Sequence, residues 1–518
     1  MMADNGEKVL RIDWFSGIDR SVDDANLPLH AAHHAVNFDT SKGNLRVACG
    51  YTKAFEQEVE GAQPLRCRYL IPYYMRDTTQ GLMVMAREGE GLGAEQALFY
   101  RQDGTDVWTR LGMDIGMNER LYSFVNYQWD AYAIVLMADG SWLKYWDGQS
   151  GAIKRIETEY AAMGLRYIAV GNERVWGAGS LANPDRVYYS KAYNPLDWRS
   201  NEPAPDANGG YIDLPSWEKG GRIIGICEMF GDMIVFKEND IFRIYGAVPS
   251  QFQVARLSGV EGPVNNRTIV KHGNMIYYLA KNGLYVYDGT RAYLLEVSAK
   301  ADYAWRYLDY DVNGLAHICV HRDQIFISLP GEKAVVQGGV TTMQVQDHGR
   351  LLVYDIRKNT FMERTGFDAY SFLEYKRTGD GQHKDVLFFA RQDGFVYELN
   401  EGVCVYDGQP IPAYWETPWM DFKKKDAVKT LEVVYAFGRG EENALLVVDV
   451  ITDRKGKQKV MRLHEDGGVL RIFVRARGRR IKLRFANYRE QKGDLHAIEP
   501  KYIEIMGGIL MRLEADED

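Results

Sequence analysis

A short phrase of strand and turn recurs along this chain and limits its fold more than any other feature. In residues 281–290, KNGLYVYDGT, a run of aliphatic and aromatic residues stands between two turns, and related phrases begin at Ala138, Glu238, Leu351 and Arg391. Asn-Gly and Asp-Gly supply the positive φ angles of tight hairpin turns, so each pair predicts a reversal between antiparallel strands. Such pairs begin at Asp103, Asp139, Asp147, Asn282, Asp288, Asp393 and Asp407.

The phrases recur at the interval of a β-propeller blade. Aromatic strand ends follow one another at roughly 40 to 60 residues, with one gap long enough for two units. They are Tyr145, Tyr188, Tyr245, Tyr287 and Tyr397. Only residues 157–163 and 299–308 could form short helices, which argues against a parallel sheet with helical connections. The sequence therefore predicts a mainly β fold, with a six- or seven-bladed β-propeller over residues 62–408.

The two ends of the chain lack this interval. Residues 409–518 contain six or seven strand candidates with a different spacing, and a segment of about this length suits one β-sandwich. Residues 1–61 contain a few strand candidates and a polar connection. We expect them to pack as an N-terminal arm and not as a domain.

Charge and cysteine content argue against several classes of protein. The formal net charge of −8 does not favour overall affinity for phosphate backbones. The five cysteines are scattered and form no CxxC pair, which indicates neither a disulfide framework nor a zinc site. The N-terminus lacks the pattern of a signal peptide, and no apolar run is long enough to cross a bilayer, so we expect synthesis in the cytoplasm.

Three segments resemble functional sites, namely a metal site, a phosphate-binding loop and a sialidase motif, but each is better explained as ordinary structure. His30, His33 and His34 stand close together, yet no carboxylate or cysteine nearby completes a metal site. EGEGLGAE, residues 88–95, resembles a phosphate loop, but a strand follows it where a helix is needed, so it predicts a hairpin loop. RQDGTDVW, residues 101–108, matches the Asp-box of sialidases poorly. No metal, cofactor or catalytic residue is predicted.

A carbohydrate-directed propeller remains the alternative class of function. Propellers include glycosidases and lectin-like binders, and a glycosidase needs two carboxylates across a sugar. The chain has 71 acidic residues, and the sequence singles out no pair of them. We therefore predict that the protein is not an enzyme.

One dense basic segment, RIFVRARGRRIKLRF at residues 471–485, is a candidate contact site. Strand alternation would place Arg475, Arg477 and Arg479 on one face, beside Arg480. Three interpretations stay open: a solvated strand face, a contact with another protein subunit, and a contact with DNA.

Several stretches resemble virion proteins of tailed bacteriophages, in particular the propeller-bearing tail nozzle, tail hub or packaged-DNA stabilisation proteins of short-tailed phages. Three of them lie in the repeating region: NPDRVYYSKAYNPLDW at residues 183–198, and the strand pairs of residues 220–246 and 262–289. Two lie nearer the ends, AVNFDTSKGNLRVACGY at residues 35–51 and YWETPWMDFKKKDAVKTLEVVY at residues 414–435.

The resemblance implies a structural virion protein. Such a subunit would assemble with copies of itself as a ring, with six copies expected, below the portal and adaptor, and would form or close the conduit for DNA ejection. Its partners would be the portal, the adaptor, other tail proteins and double-stranded DNA in transit, with no membrane anchor. Assembly would take place in the host bacterial cytoplasm. The group carries no catalytic residue or cofactor over to this chain.

Overall fold

The computed structural model describes most of the chain. It covers residues 7–515 except 60–64, 75–79, 90–94, 114–115, 119, 130–131, 201–205, 216–219, 307, 311–315, 338–339, 380–381, 422–426 and 490–497. The predicted mainly β fold is confirmed. Short helical turns occur at both predicted places. Glu159–Ala162 lies in the first, and Glu296–Ala301 with the α-helical turn Asp302–Trp305 overlaps the second. Three more short turns were not predicted: Asp24–Asn26, Pro249–Gln251 and Asn266–Thr268.

The first 53 residues contribute five short strands to three different sheets. The strands are β1 (Glu7–Ile12), β2 (His34–Val36), β3 (Phe38–Asp39), β4 (Leu45–Val47) and β5 (Gly50–Lys53). β1, β3 and β4 join a sheet formed by the end of the chain, β2 joins a second such sheet, and β5 pairs with a strand near residue 400.

The chain then forms seven groups of four strands, here called sheets 1 to 7 in chain order and together the ring. The fourth strand of sheet 7 is β5 from the head. Sheet 1 contains β6 (Leu65–Tyr74), β7 (Gln80–Glu88), β8 (Glu95–Gln102) and β9 (Thr109–Met113), and sheet 2 contains β10 (Ser123–Trp129), β11 (Tyr132–Ala138), β12 (Lys144–Trp146) and β13 (Ala152–Arg155). Sheet 3 contains β14 (Tyr167–Gly171), β15 (Arg174–Ala178), β16 (Arg186–Tyr189) and β17 (Gly210–Asp213), and sheet 4 contains β18 (Ile223–Met229), β19 (Asp232–Lys237), β20 (Ile241–Tyr245) and β21 (Gln253–Ser258).

The remaining three groups complete the series. Sheet 5 contains β22 (Ile269–His272), β23 (Met275–Ala280), β24 (Gly283–Tyr287) and β25 (Ala292–Leu294), and sheet 6 contains β26 (His317–His321), β27 (Gln324–Gln337), β28 (Val340–Asp355) and β29 (Thr360–Arg364). Sheet 7 contains β30 (Ser371–Gly379), β31 (Gln382–Ala390), β32 (Val396–Asn400) and β5. Pairing within every group is antiparallel, and a short parallel pairing of β13 with β9 joins sheets 1 and 2.

The recurring phrase occupies the same place in successive sheets. Its aromatic residue lies in the third strand: Tyr145 in β12, Tyr188 in β16, Tyr245 in β20, Tyr287 in β24, Tyr354 in β28 and Tyr397 in β32. All seven predicted Asn-Gly and Asp-Gly turns lie between antiparallel strands. β7 and β8 pair on either side of the glycine-rich segment, while residues 90–94 of its loop lie outside the described residues.

The first strands of the sheets contact one another in a closed series. β6 contacts β10, β10 contacts β14, and β14 contacts β18, which contacts the turn that leads into β22. β22 contacts β26, β26 contacts β30, and β30 contacts β6 again. The N-terminal strand β5 completes sheet 7 by pairing with β32, so the head of the chain closes the ring.

Side chains fill the middle of the ring. Arg267, which precedes sheet 5, lies over the aromatic ring of Tyr69 in sheet 1, with the guanidinium carbon 4.7 Å from the ring centroid. Its Nη2 also donates a hydrogen bond of 3.0 Å to the carbonyl oxygen of Tyr370, just before sheet 7. A small cavity of about 10 Å³ lies beside Tyr69 and Arg267. Arg267 therefore bridges the centre of the ring.

The tail of the chain forms two further sheets beyond a small hairpin. Its strands are β33 (Val405–Tyr406), β34 (Gln409–Pro410), β35 (Tyr414–Glu416), β36 (Lys429–Gly440), β37 (Leu445–Thr452), β38 (Lys457–Arg462), β39 (Gly468–Gly478), β40 (Ile481–Ala486) and β41 (Ile503–Ala515). The front sheet has the order β3-β4-β41-β36-β39, with β1 also paired to β41, and the back sheet has the order β2-β35-β40-β37-β38. One hydrophobic core contains residues of both sheets, of the head and of sheets 6 and 7.

Candidate functional site

The outer face of the front sheet carries exposed apolar and basic side chains together. In β39 residues alternate between buried and exposed, because successive side chains of a strand point to opposite faces. The exposed set on this face is Val469, Arg471, Phe473, Arg475 and Arg477 from β39, Phe437 from β36, Leu510 from β41, and Val9 and Arg11 from β1. Cross-strand pairs such as Phe437 with Val469 and Arg11 with Leu510 lie side by side on one face.

The structure places the four arginines of the basic segment in two settings. Arg475 and Arg477 project from the outer face of β39, as strand alternation predicts. Arg479 and Arg480 are exposed in the turn after Gly478, so the alternation does not extend to Arg479. The backbone N–H of Arg479 donates to Oδ1 of Asp453 at 2.8 Å, which fixes this turn.

Sequence reasoning identified the arginines of this face but missed the apolar side chains between them. Val469 and Phe473 are 72% and 55% exposed, values unusual for large apolar residues in the middle of a strand. The signal was present in the sequence, because Val469 and Phe473 are separated from the arginines by even numbers of residues and therefore lie on the same face of β39.

Arg471 of this face lies against two aromatic rings. The guanidinium carbon of Arg471 lies 4.6 Å from the ring centroid of Phe473 and 5.7 Å from that of Tyr435. Within the described part of the chain, neither Arg471 nor Arg475 forms an ion pair. β39 is also the edge strand of the front sheet, and Lys457 of β38 donates to the carbonyl oxygen of Arg475. The face is therefore cationic and partly apolar.

A charged cleft of about 1010 Å³ lies between sheets 6 and 7 of the ring and the front sheet. Its ring side is formed by the turns around Arg322 and Arg357 and by residues 399–404, and its other side by residues 39–49 and by Arg439. Tyr502 and His321 supply the aromatic rings among the described residues that line it.

Arginines pair with three of the six described carboxylates that line the cleft. Asp39 accepts a hydrogen bond of 2.9 Å from Nε of Arg46, and Asp323 lies 2.5 Å from Nη2 of Arg357. Burial alone would raise the pKa of Asp39, but the nearby guanidinium groups of Arg46 and Arg364 hold it below its usual value. Asp39 therefore stays ionised and paired, whereas general acid catalysis needs a carboxyl group with a raised pKa.

Burial raises the pKa of three carboxyl groups elsewhere in the molecule. Asp103 follows β8 in sheet 1, Glu261 precedes sheet 5, and Glu416 lies in β35 of the back sheet. None of the three is among the residues that line the cleft. They belong to three separate parts of the fold, so the structure does not bring them together as a catalytic pair.

The histidine cluster and the aspartate turn, which the sequence analysis weighed as possible sites, contact neighbouring side chains of the fold. His30 stacks on Trp14 with ring centroids 4.0 Å apart, while Nη2 of Arg20 lies 3.0 Å from Nδ1 of His34. Groups of three or more metal-ligating side chains do not occur among the described residues. The aspartate turn of residues 101–108 connects β8 to β9, and Arg101 pairs there with Asp106 at 3.0 Å.

No helix in the described ranges has the length and apolar character needed to span a membrane.

Comparisons with known proteins find only distant structural likeness. No protein-family model and no curated protein matches the chain. The extracellular domain of a putative hybrid two-component system from B. thetaiotaomicron is similar at 9% identity and a TM-score of 0.40, covering 86% of this chain. This chain spans 59% of the length of that domain.

Two further similar structures come from fungi. Saccharomyces cerevisiae Sqt1 matches at 11% identity and a TM-score of 0.37, covering 71% of this chain and 100% of its own. An exo-β-1,3-galactanase from Phanerochaete chrysosporium matches at 8% identity and a TM-score of 0.22, covering 96% of this chain and 99% of its own. Likenesses this distant indicate nothing about activity.

Proposed function

We propose that the protein is a structural subunit of a short-tailed bacteriophage tail, in which the seven four-stranded sheets are the blades of one β-propeller and the front and back sheets form a β-sandwich. The observation that carries the proposal is the outer face of the front sheet, where exposed Phe473, Phe437 and Val469 are interleaved with arginines. The resemblance of the sequence to propeller-bearing tail proteins supplies the kind of assembly.

The composition of this face favours a protein partner over the two other interpretations of the basic segment. Aromatic residues and arginine are enriched at protein interfaces, where they account for much of the binding energy. A solvated strand face would not need Val469 and Phe473, and a surface for the phosphate backbone is built from polar and basic contacts. The partner surface we expect is acidic with apolar side chains at its centre.

The packed middle of the ring determines where a DNA conduit would lie under this proposal. Arg267 reaches Tyr69 of sheet 1 and the backbone of Tyr370 before sheet 7, so its side chain lies across the ring. The major groove of double-stranded DNA alone is about 12 Å wide. DNA would therefore pass between copies of the chain and not through the ring of one copy. The net charge of −8 suits this role, because a negatively charged conduit does not retain DNA.

Assembly of purified protein tests the proposal. The mass of the full-length chain is measured by light scattering and native mass spectrometry, alone and after mixing with tails that lack this subunit. We expect Phe473→Glu and Arg471→Glu each to reduce incorporation by at least about tenfold, since a charge of the wrong sign in a desolvated contact costs more than about 1.4 kcal/mol.

Matched variants on other surfaces serve as controls. Phe230→Glu replaces an exposed phenylalanine in the turn between β18 and β19 of sheet 4, and Lys459→Glu reverses a charge in the exposed strand β38. Both should assemble like the wild type. A wild-type protein that stays monomeric, joins no particle and instead binds or cleaves glycans would overturn the proposal in favour of a carbohydrate-directed propeller.

A further inference from the structure

Two cysteines lie together at the point where the head of the chain closes the ring. The backbone N–H of Gly50 donates a hydrogen bond of 2.7 Å to the carbonyl oxygen of Val403. Cys49 directly precedes Gly50, and Cys404 directly follows Val403. Tyr51 pairs with Tyr406 in parallel, which aligns the two segments in the same direction. Counting back two residues along each segment from this pair leads to Cys49 and Cys404.

Both cysteines also line the charged cleft, so reagents in solution can reach them. Neither is fully buried, and all five cysteines of the chain are free thiols in the structure. Arg364 stands beside the pair: its Nη1 donates to the carbonyl oxygen of Cys49 at 3.0 Å and lies 3.6 Å from its Sγ. The thiolate is the reactive form of a cysteine in disulfide exchange.

We propose that Cys49 and Cys404 are a disulfide-forming site that closes the ring covalently when the protein meets a small-molecule disulfide such as oxidised glutathione. One cysteine thiolate attacks glutathione disulfide, forms a mixed disulfide and releases the first glutathione thiolate, which takes up a proton. The second cysteine loses its proton and attacks the mixed disulfide at the sulfur of the first cysteine, which releases the second glutathione. The two protein thiols are oxidised and one glutathione disulfide is reduced to two glutathione molecules.

The position of the bond gives it a structural consequence. In the reduced protein the four-residue strand β5 secures sheet 7 by its backbone pairing with β32. A bond between residues 49 and 404 would enclose sheets 1 to 7 in one covalent loop. Cross-links that enclose long loops restrict the unfolded chain most, provided the native geometry accepts them. The site would therefore stabilise the ring in an oxidising medium.

The rate of the reaction should depend on pH. Burial raises the pKa of Cys404 to about 11, so this thiol is mostly protonated at neutral pH. The step in which Cys404 attacks should accelerate by about tenfold for each unit of pH between 7 and 9, because the thiolate fraction rises in that proportion.

Peptide mapping of the full-length wild-type protein tests the site without a substitution. The reduced protein is incubated with oxidised glutathione at pH 8.5, blocked with a maleimide and digested with trypsin under non-reducing conditions. We expect the peptide of residues 47–53 to be linked to that of residues 392–423, and the oxidised protein to melt about 3 °C higher than the reduced one.

Substitutions then assign the stabilisation. Cys49→Ser and Cys404→Ser should each abolish the rise in melting temperature, whereas Cys227→Ser, in sheet 4, should retain it. The proposal is overturned if the two peptides stay unlinked in folded oxidised protein, if either links to another cysteine, or if the bond joins two separate chains. Since the site requires only the closure of the ring within one chain, its failure would leave the proposed tail function untouched.

Discussion

Asp139 and Lys144 form an ion pair from which water is excluded. Nζ of Lys144, at the start of β12, lies 2.6 Å from Oδ2 of Asp139, in the turn before β12, and both side chains are buried. The other carboxylate oxygen of Asp139 accepts hydrogen bonds from the backbone N–H and the hydroxyl of Ser141. The Asp-Gly pair predicted this turn from sequence. The buried lysine was not predictable, because its burial depends on neighbours that only the folded ring supplies.

Replacing Asp139 by Asn should destabilise the protein by about 3–5 kcal/mol, because the change leaves the Lys144 ammonium buried without an opposite charge. The free energy of unfolding is measured by urea denaturation. Glu157→Gln is the control: it breaks the exposed pair with Arg155 and should cost less than about 1 kcal/mol. Equal losses from the two variants would contradict the assignment.

His34 should make the protein less stable as the pH falls from about 6.5 to about 4. Burial and the charge of Arg20 lower its pKa to about 4, so the unfolded chain binds a proton in this range that the folded protein excludes. Because the imidazole of His34 is only partly buried, we expect the free energy of unfolding to fall by about 1–2 kcal/mol.

His34→Gln tests this contribution. Unfolding free energies of variant and wild type are compared at pH 7.5 and pH 4.5, and the variant should lose about 1–2 kcal/mol less on acidification. His464→Gln, at an exposed position in the tail, should follow the wild type. A parallel pH dependence of His34→Gln and the wild type would refute the role of this histidine.

At the scale of strands, the local signals were predictable and the distant pairings were not. Every predicted Asp-Gly and Asn-Gly turn joins antiparallel strands, because turn geometry is determined by the residues of the turn itself. The strands of the head have no such signal. β5 pairs with β32, and β1 pairs with β41, across more than 300 residues of intervening chain. Two to six residues of sequence cannot specify a partner at that distance.

Gly50→Ala should weaken the closure of the ring by β5. A methyl group at this position would lie 1.8 Å from the carbonyl oxygen of Val405, too close for any contact, and backbone on both sides prevents an easy shift. We expect a destabilisation of about 1–3 kcal/mol, measured by urea denaturation under reducing conditions. Gly468→Ala, which meets no atom within 4 Å, is the matched control and should change stability little. A Gly50→Ala protein as stable as the control would show that β5 does not hold the ring closed.

At the scale of the whole molecule, one core extends across the predicted boundaries at residues 61 and 408. It contains Phe15 from the head, Phe326 and Phe389 from sheets 6 and 7, and Trp415 and Phe485 from the back sheet. Composition along the chain does not reveal such a shared core, since each segment by itself has an ordinary apolar content. The same limit applies to the outer face of the front sheet, whose arginines were visible in sequence while its neighbours from β1 and β41 were not.

The shared core should make the ring and the two tail sheets unfold together. Trp415 is fully buried, packs edge-on against Phe15 with ring centroids 5.0 Å apart, and donates a hydrogen bond of 3.3 Å to the carbonyl oxygen of Ser16. Trp415→Ala should therefore cost about 3–5 kcal/mol and lower one common calorimetric transition.

Trp142→Ala removes a tryptophan that is 36% exposed, and it should cost far less. Two separate calorimetric transitions, of which Trp415→Ala lowers only one, would contradict a common core. In that case the two tail sheets would melt without opening the ring, and the closure of the ring would depend on β5 alone.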